Sequence, residues 1–327
     1  MLAGRVVLVT GSGRGVGAGI ARALGHHGAA VAVNYSSSAK QAQSVVDGIT
    51  NAGGEARSYQ ADVRDPRAVE QMVAAVEADF GGLDGIVNNA IAGVQSALLD
   101  DARWSDYTDA FDFGCRAVVN TVKAARPAFA RRSGGRIVNV VTDFWNIAPE
   151  GQSVYVAGKG AMVGLSRSLA RELGPENITV NIVAPGWMIA SAEDEMSAES
   201  VEFSASLPLR RRGRPEDVGD VCAFYLSDLG AAVTGAYLPV NGRRITQAGP
   251  ALSTPSLAAG RVRCVPARDR CCQRFRIGRV RSSRRRRLPG LSWRSTGRAR
   301  PIRGSPAPSR PGAGPDRSCR RSRIWSG

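Results

Sequence analysis

Residues 5–25 read RVVLVTGSGRGVGAGIARALG, an aliphatic run, a glycine loop and an amphipathic stretch in direct succession. Continuous Val and Leu suit a strand covered on both faces, and apolar residues returning every three or four positions after residue 15 suit a helix. The loop between them is TGSGRGVG, Thr10 to Gly17. Gly11, Gly15 and Gly17 let the backbone turn tightly and approach an anion, while the helix N-terminus supplies unpaired N–H groups. A glycine pattern alone is weak, but in this strand-to-helix position it reads as a pyrophosphate cradle for a dinucleotide.

The same alternation continues outward. Further strands are expected at 29–34, 56–61, 84–89, 136–141, 178–184 and 236–240, besides the first at 5–10. Helices are expected at about 15–27, 38–52, 66–80, 103–132, 153–173 and 215–228. Asp65-Pro66 and Pro215 with Glu216 and Asp217 mark helix starts, and the Gly-Gly pairs at 53–54, 81–82 and 134–135 mark helix ends. Strict alternation predicts an α/β, Rossmann-type doubly wound parallel sheet of about seven strands with helices on both faces.

Beyond residue 247 the pattern stops. From Ala251 on there are 21 Arg, no Lys and two acidic residues, leaving 23 basic and 26 acidic groups in the first 250. The net charge of +16 is therefore a property of the tail, and the body is slightly acidic. The reading divides the chain into a domain over 1–247 and an Arg-rich tail over 248–327, expected to be disordered alone. Three readings compete for that tail: a solvated disordered extension or out-of-frame coding, an arm whose Arg clusters bind nucleic acid or another anionic surface, and a folded second domain. Only Cys115 and Cys222 lie in the body, the usage of a reduced cytoplasmic protein, and no apolar run is long enough for a membrane span. No Cys, His and carboxylate cluster suggests a metal.

The second expected strand ends in NYSSS, residues 34–38, with no carboxylate for a ribose 2′-hydroxyl, while Arg14 sits in the glycine loop. Both features favour NADP over NAD. Asp62 ends the third strand, where it can accept from an adenine amino group or cap a turn, and Asn88-Asn89-Ala90 ends the fourth on the ligand side of such a sheet. Tyr155 and Lys159 are four apart in an expected helix and share a face. A nearby ammonium favours the phenolate, which makes a tyrosine a usable acid or base.

Taken in order, TGSGRGVG, ADV, NNA, GRIVNVVT, YVAGK, LARELGPENITVNIVAPGWM and PVNG make residues 4–242 resemble the short-chain dehydrogenase/reductase family, especially its 3-oxoacyl-[acyl-carrier-protein] reductases. The resemblance implies hydride transfer between a nicotinamide and a carbonyl or alcohol, in a homodimer or homotetramer. It implies Tyr155 as proton donor, Lys159 as its partner and ribose ligand, and Thr142 in the place of the serine that polarises the carbonyl. Cofactor contacts are implied at Gly11, Ser12, Gly13, Arg14, Gly15, Val16, Gly17, Ser36, Asp62, Val63, Asn89, Ala90, Pro185, Gly186 and Met188. The Tyr155-to-Lys159 spacing argues against the enoyl reductase branch.

Four positions depart from the family pattern. Thr142 keeps the hydroxyl but stiffens it; Asp143 is the weaker donor, since a carboxylate cannot donate. Gly114 stands where a helix asparagine would hold a relay water, and Asn120 reads as a helix-surface amide. Ile91 replaces a glycine after NNA, and Ala190 a threonine after PG. A weakly active or inactive NADP-binding protein is therefore the alternative. Phe144, Trp145 and Trp187 are candidates for a substrate wall or for core packing.

Overall fold

A computed structural model describes residues 1–91, 93 and 96–242. The expected boundary at 247 and the Arg-rich tail lie outside the described residues. Seven parallel strands form one sheet: β1 Val6–Val9, β2 Ala30–Tyr35, β3 Glu55–Gln60, β4 Gly85–Asn88, β5 Gly135–Val140, β6 Ile178–Pro185 and β7 Tyr237–Val240. Their order is β3-β2-β1-β4-β5-β6-β7. The chain winds outward from β1 in one direction and, from β4, in the other. The carboxyl ends of β1 and β4 therefore flank a crevice with no crossover above it.

Helices α1 Gly15–His26, α2 Ala39–Asn51, α3 Pro66–Phe80, α4 Trp104–Phe111, α5 Ala117–Arg131, α6 Phe144–Ile147, α7 Ser153–Glu172, α8 Ala192–Met196, α9 Ala198–Ser206 and α10 Pro215–Leu226 complete the domain. Strand side chains alternate between two cores. Val7, Val9, Val31, Val33, Val138 and Val183 meet α1, α2 and α10 on one face. Val6, Leu8, Ile86, Ile137, Val180 and Ile182 meet α3, α5 and α7 on the other. Aliphatic residues at nearly every strand position are the consequence of this double coverage. Asp65 caps α3, its carboxylate accepting from the N–H groups of Arg67 and Ala68.

The expected helix over 103–132 is two helices joined by a π-helical turn, Asp112–Arg116. Gly114 lies inside that turn and is buried. A Cβ there would run into the carbonyl oxygen of Gly158 on α7 and come within 2.9 Å of its carbonyl carbon. Gly158 is tight in the same way, a Cβ on it falling 2.7 Å from Ala110 O. This glycine pair lets the two helix backbones touch, and the extra residue of the π turn is accommodated at the contact. The segment after β6, which carries no motif, folds into α8 and α9. Among the described residues no helix is long and apolar enough to cross a membrane.

Candidate active site

The glycine loop sits over the crevice as its spacing predicts. Gly11 has φ +60°, and a Cβ there would lie 2.8 Å from Ala90 Cα, so the loops after β1 and β4 approach through a missing side chain. Gly15 has φ +56° with nothing near its Cβ position, which leaves the cradle open toward the cleft. Arg14 occupies the N-cap of α1 without a side-chain capping bond. The first N–H groups of α1 are thus available to an anion. A cleft of about 430 Å³ runs beside this loop, lined among others by Gly13, Arg14, Val16, Gly17, Ser36 and Asp62.

Several expected contacts act at one remove. Ser12 does not line the cleft: it is fully buried, its hydroxyl donating to Val9 O at 2.7 Å and its N–H to Asn34 O at 2.8 Å. Asn89 lines the cleft, but its amide braces the loop, donating to Thr10 O at 3.0 Å and Gly11 O at 3.1 Å. Asn34, which motif spacing passes over, is the hub of this corner. Its Oδ1 accepts from Gly11 N and its Nδ2 donates to Tyr59 O and Ala61 O.

At the end of β3 Asp62 is already engaged. Arg64 Nη2 donates to its Oδ2 at 2.7 Å, and Arg64 Nε and N donate to its Oδ1 at 3.0 and 2.9 Å. That guanidinium holds the Asp62 carboxyl below the usual carboxylate range and also rests 4.9 Å over the Phe113 ring. Asp62 also keeps the turn role, since Asp65 N donates to its main-chain oxygen. Val63 is buried, and Ala90 lines the cleft. Asn120 is half-buried rather than a surface amide, its Nδ2 donating to Val63 O and Arg64 O. Sequence spacing alone does not reveal that α5 passes beneath this turn.

Tyr155 and Lys159 project from one face of α7 toward the end of β5. Thr142, just past β5, stands near enough to the Tyr155 hydroxyl to pull its phenol down, and its Oγ1 accepts from Phe144 N at 3.2 Å. Phe144 meets the Tyr155 ring edge to face at 6.3 Å. Lys159 Nζ donates to Val140 O at 2.7 Å from a fully enclosed position. Burial brings its ammonium down from 10.5 to about 7. Burial pushes the Tyr155 phenol up, against the pull of Thr142 and with a further push from the Asp143 carboxylate. The sequence expectation that the lysine lowers the phenol is thus not met in the free chain, because desolvation dominates both groups.

Asp143 is 1% exposed and points away from a donor role, accepting from Asn241 Nδ2 at 3.3 Å near Gly186. Pro185 ends β6 and Gly186 N donates to Val240 O, so this pair ties the strand end to β7. Ile91 is 44% exposed and lines both the cleft and a smaller cavity beside Tyr155. Ala190 N donates to Asp194 Oδ2 at 2.8 Å, so the amide next to the missing threonine has a partner.

Arg212, unmarked by any motif, fixes the segment after β6. Its side chain is fully enclosed. It donates to Met188 O at 2.5 Å, Trp187 O at 3.2 Å, both oxygens of Asp194 at 2.9 Å and Ser200 Oγ at 2.8 Å. Its guanidinium also lies 3.8 Å over the Trp187 ring. Trp187 therefore packs beneath Arg212 and against Phe203, whereas Trp145 packs on Gly160 and is 41% exposed.

The family model described as enoyl-(acyl carrier protein) reductase matches residues 11–242. A 3-oxoacyl-[acyl-carrier-protein] reductase, FabG, of Staphylococcus aureus is 38% identical over 237 residues, 72% of this chain and 96% of the relative. A crystal structure of a short-chain dehydrogenase from Burkholderia cenocepacia in complex with NADP is 37% identical with TM-score 0.66, over 74% of this chain and 98% of that one. An NAD+-bound xylitol dehydrogenase is 28% identical with TM-score 0.67, over 74% of this chain and 99% of that one. The cradle, the sheet order and these matches over most of the chain agree, and the chain belongs to the short-chain dehydrogenase/reductase family.

Proposed function

We propose that residues 1–247 form an NADP(H)-dependent ketoreductase domain acting on a carbonyl or acyl-thioester carbonyl, with 248–327 an appended tail. The observation that carries the reading is the meeting of Thr142, Tyr155 and Lys159 at the carboxyl ends of the strands, beside an open glycine cradle. The cradle suits a dinucleotide: Gly11 and Gly17 leave no room for side chains, and the α1 terminus lacks a cap. When bound, the nicotinamide supplies the hydride. Arg14 and Ser36 would receive a 2′-phosphate, and Gly13, Gly15 and Val16 the pyrophosphate. Val63, Asn89 and Ala90 would bound the adenosine half, and Pro185, Gly186 and Met188 the nicotinamide.

In reduction, Tyr155 Oη gives its proton to the substrate oxygen while Thr142 Oγ1 donates to that oxygen and steadies the developing charge. The raised Tyr155 phenol is protonated at neutral pH, as a donor must be. Binding of the polyanionic cofactor would raise the Lys159 ammonium again and strengthen its action on the phenol. Relatives named for 3-oxoacyl-thioester reduction and the four-residue Tyr155–Lys159 spacing support ketone rather than enoyl reduction. A homodimer or homotetramer in a cytoplasmic setting belongs to the same reading.

Fluorescence titration with NADPH and NADH, followed by NADPH oxidation across acyl thioesters, quinones and cyclic ketones, tests it. The reading expects NADPH to bind at least about tenfold tighter, the worth of a phosphate-to-Arg contact, and at least one carbonyl to turn over. Preference for NADH would overturn the cofactor assignment, and tight binding without turnover would make the chain a cofactor-binding protein without catalysis.

A further inference from the structure

The turn after β3 carries a forked ion pair that no motif marks. Arg64 lies just past Asp62 and turns back on it: Nη2 donates to Oδ2 at 2.7 Å, while Nε and the main-chain N donate to Oδ1 at 3.0 and 2.9 Å. Both residues line the cleft beside the glycine cradle. Most surface ion pairs fix little, because two long side chains wander in water. This one is held from several sides. The guanidinium rests 4.9 Å over the Phe113 ring, and the carboxylates of Asp109 on α4 and Asp112 in the π turn attract it. Asn120 Nδ2, from α5, donates to Arg64 O at 3.1 Å and anchors the backbone beneath it.

An ionised carboxylate offers about four lone pairs. Oδ1 accepts twice, from Arg64 N and Nε. Oδ2 accepts once from Nη2, with only a longer share of Nε at 3.2 Å besides. Room for one further donor therefore remains on Oδ2. The Asp62 side chain is 38% exposed, so a group entering the cleft can meet it.

We propose that Arg64 is a positioning residue for cofactor selection: by clamping the Asp62 carboxylate it presents Oδ2 as the acceptor for the exocyclic amino group of adenine. The inference rests on the dinucleotide reading of the cleft and needs no turnover. A fixed, ionised acceptor rewards a purine that carries a donor at this place and repels one that carries an oxo group there. A lysine would keep the charge but not the planar fork or the stacking on Phe113.

Calorimetric titration of the full-length chain with adenosine 2′,5′-bisphosphate and with its inosine counterpart, in which an oxo group replaces the amino group, tests the clamp. Both compounds carry the ribose and the 2′-phosphate, so their affinity ratio isolates the purine edge. Wild type should bind the adenine compound about tenfold tighter or more. Arg64→Met should erase most of that preference while the affinity for the inosine compound changes little, which also shows that the variant is folded. Arg64→Lys should recover little of it, and in an Asp62→Ala background Arg64→Met should alter the ratio no further. A wild-type ratio near one, or a full preference in Arg64→Met, overturns the proposal. Equal loss of affinity for both compounds overturns it too, since Arg64 would then only brace the loop. If neither compound binds wild type, the dinucleotide reading falls and this inference with it; a preference that survives Arg64→Met removes this inference alone.

Discussion

Replacing Lys159 with methionine should make the cofactor-free protein more stable. Burial takes this ammonium from 10.5 to about 7, and at about 1.4 kcal/mol per tenfold the charged form costs the fold about 5 kcal/mol. The unfolded chain holds the proton up to about pH 10.5, whereas the folded chain releases it near 7. The penalty is therefore complete below pH 7 and fades as pH rises toward 10.5, so this group makes the wild-type protein gain stability across that window. Methionine fills a similar volume without charge but leaves Val140 O without its donor, a loss of about 1–3 kcal/mol. The net expectation for Lys159→Met is a gain of about 2–4 kcal/mol at pH 6 that disappears between about pH 8 and 10 and turns into a loss beyond. Urea unfolding followed by tryptophan fluorescence at pH 6, 7.5 and 9 reads both quantities. Above pH 10 the raised Tyr155 phenol works the other way, the unfolded chain ionising first, so the series stops short of it. A variant no more stable than wild type at pH 6, or a wild-type midpoint lacking the expected rise between pH 7 and 9, would refute the burial argument.

Two further substitutions test separate parts of the site. Gly114→Asn should lower both melting temperature and activity instead of restoring a relay, because its Cβ would run into Gly158 O; a more active variant would show that the helices separate readily. Asp194→Asn should weaken the pin at Arg212, costing about 3–5 kcal/mol if the buried cation loses its partner. It should also raise KM for NADPH more than it lowers kcat, since the same guanidinium holds Met188 O, and an unchanged KM would separate Arg212 from the cofactor pocket.

Much of this architecture is legible in the sequence for one physical reason: a sheet covered on both faces demands aliphatic residues at nearly every strand position. Strands β1, β2, β4, β5 and β6 announce themselves this way, whereas the half-exposed edge strand β3, EARSYQ, is read from its place in the alternation. The cradle is legible because Gly11 and Gly15 occupy left-handed conformations that other residues resist. What escapes are contacts between segments distant in the chain. Asn34 and Asn120 brace loops 20 or more residues away, and neither amide has a local pattern. Gly114 reads as a missing side chain until Gly158 is seen against it. Arg212 looks like one of three consecutive surface arginines, yet it is the enclosed one, because Asp194, Ser200 and two carbonyl oxygens surround it.

The central claim is that Tyr155 donates the proton in a carbonyl reduction. Comparing NADPH oxidation by wild type and Tyr155→Phe with the best carbonyl substrate, with NADPH binding measured alongside, tests it directly. The account predicts a rate loss of about 10²-fold or more with cofactor affinity nearly unchanged. Turnover that survives in Tyr155→Phe at the wild-type rate would contradict it.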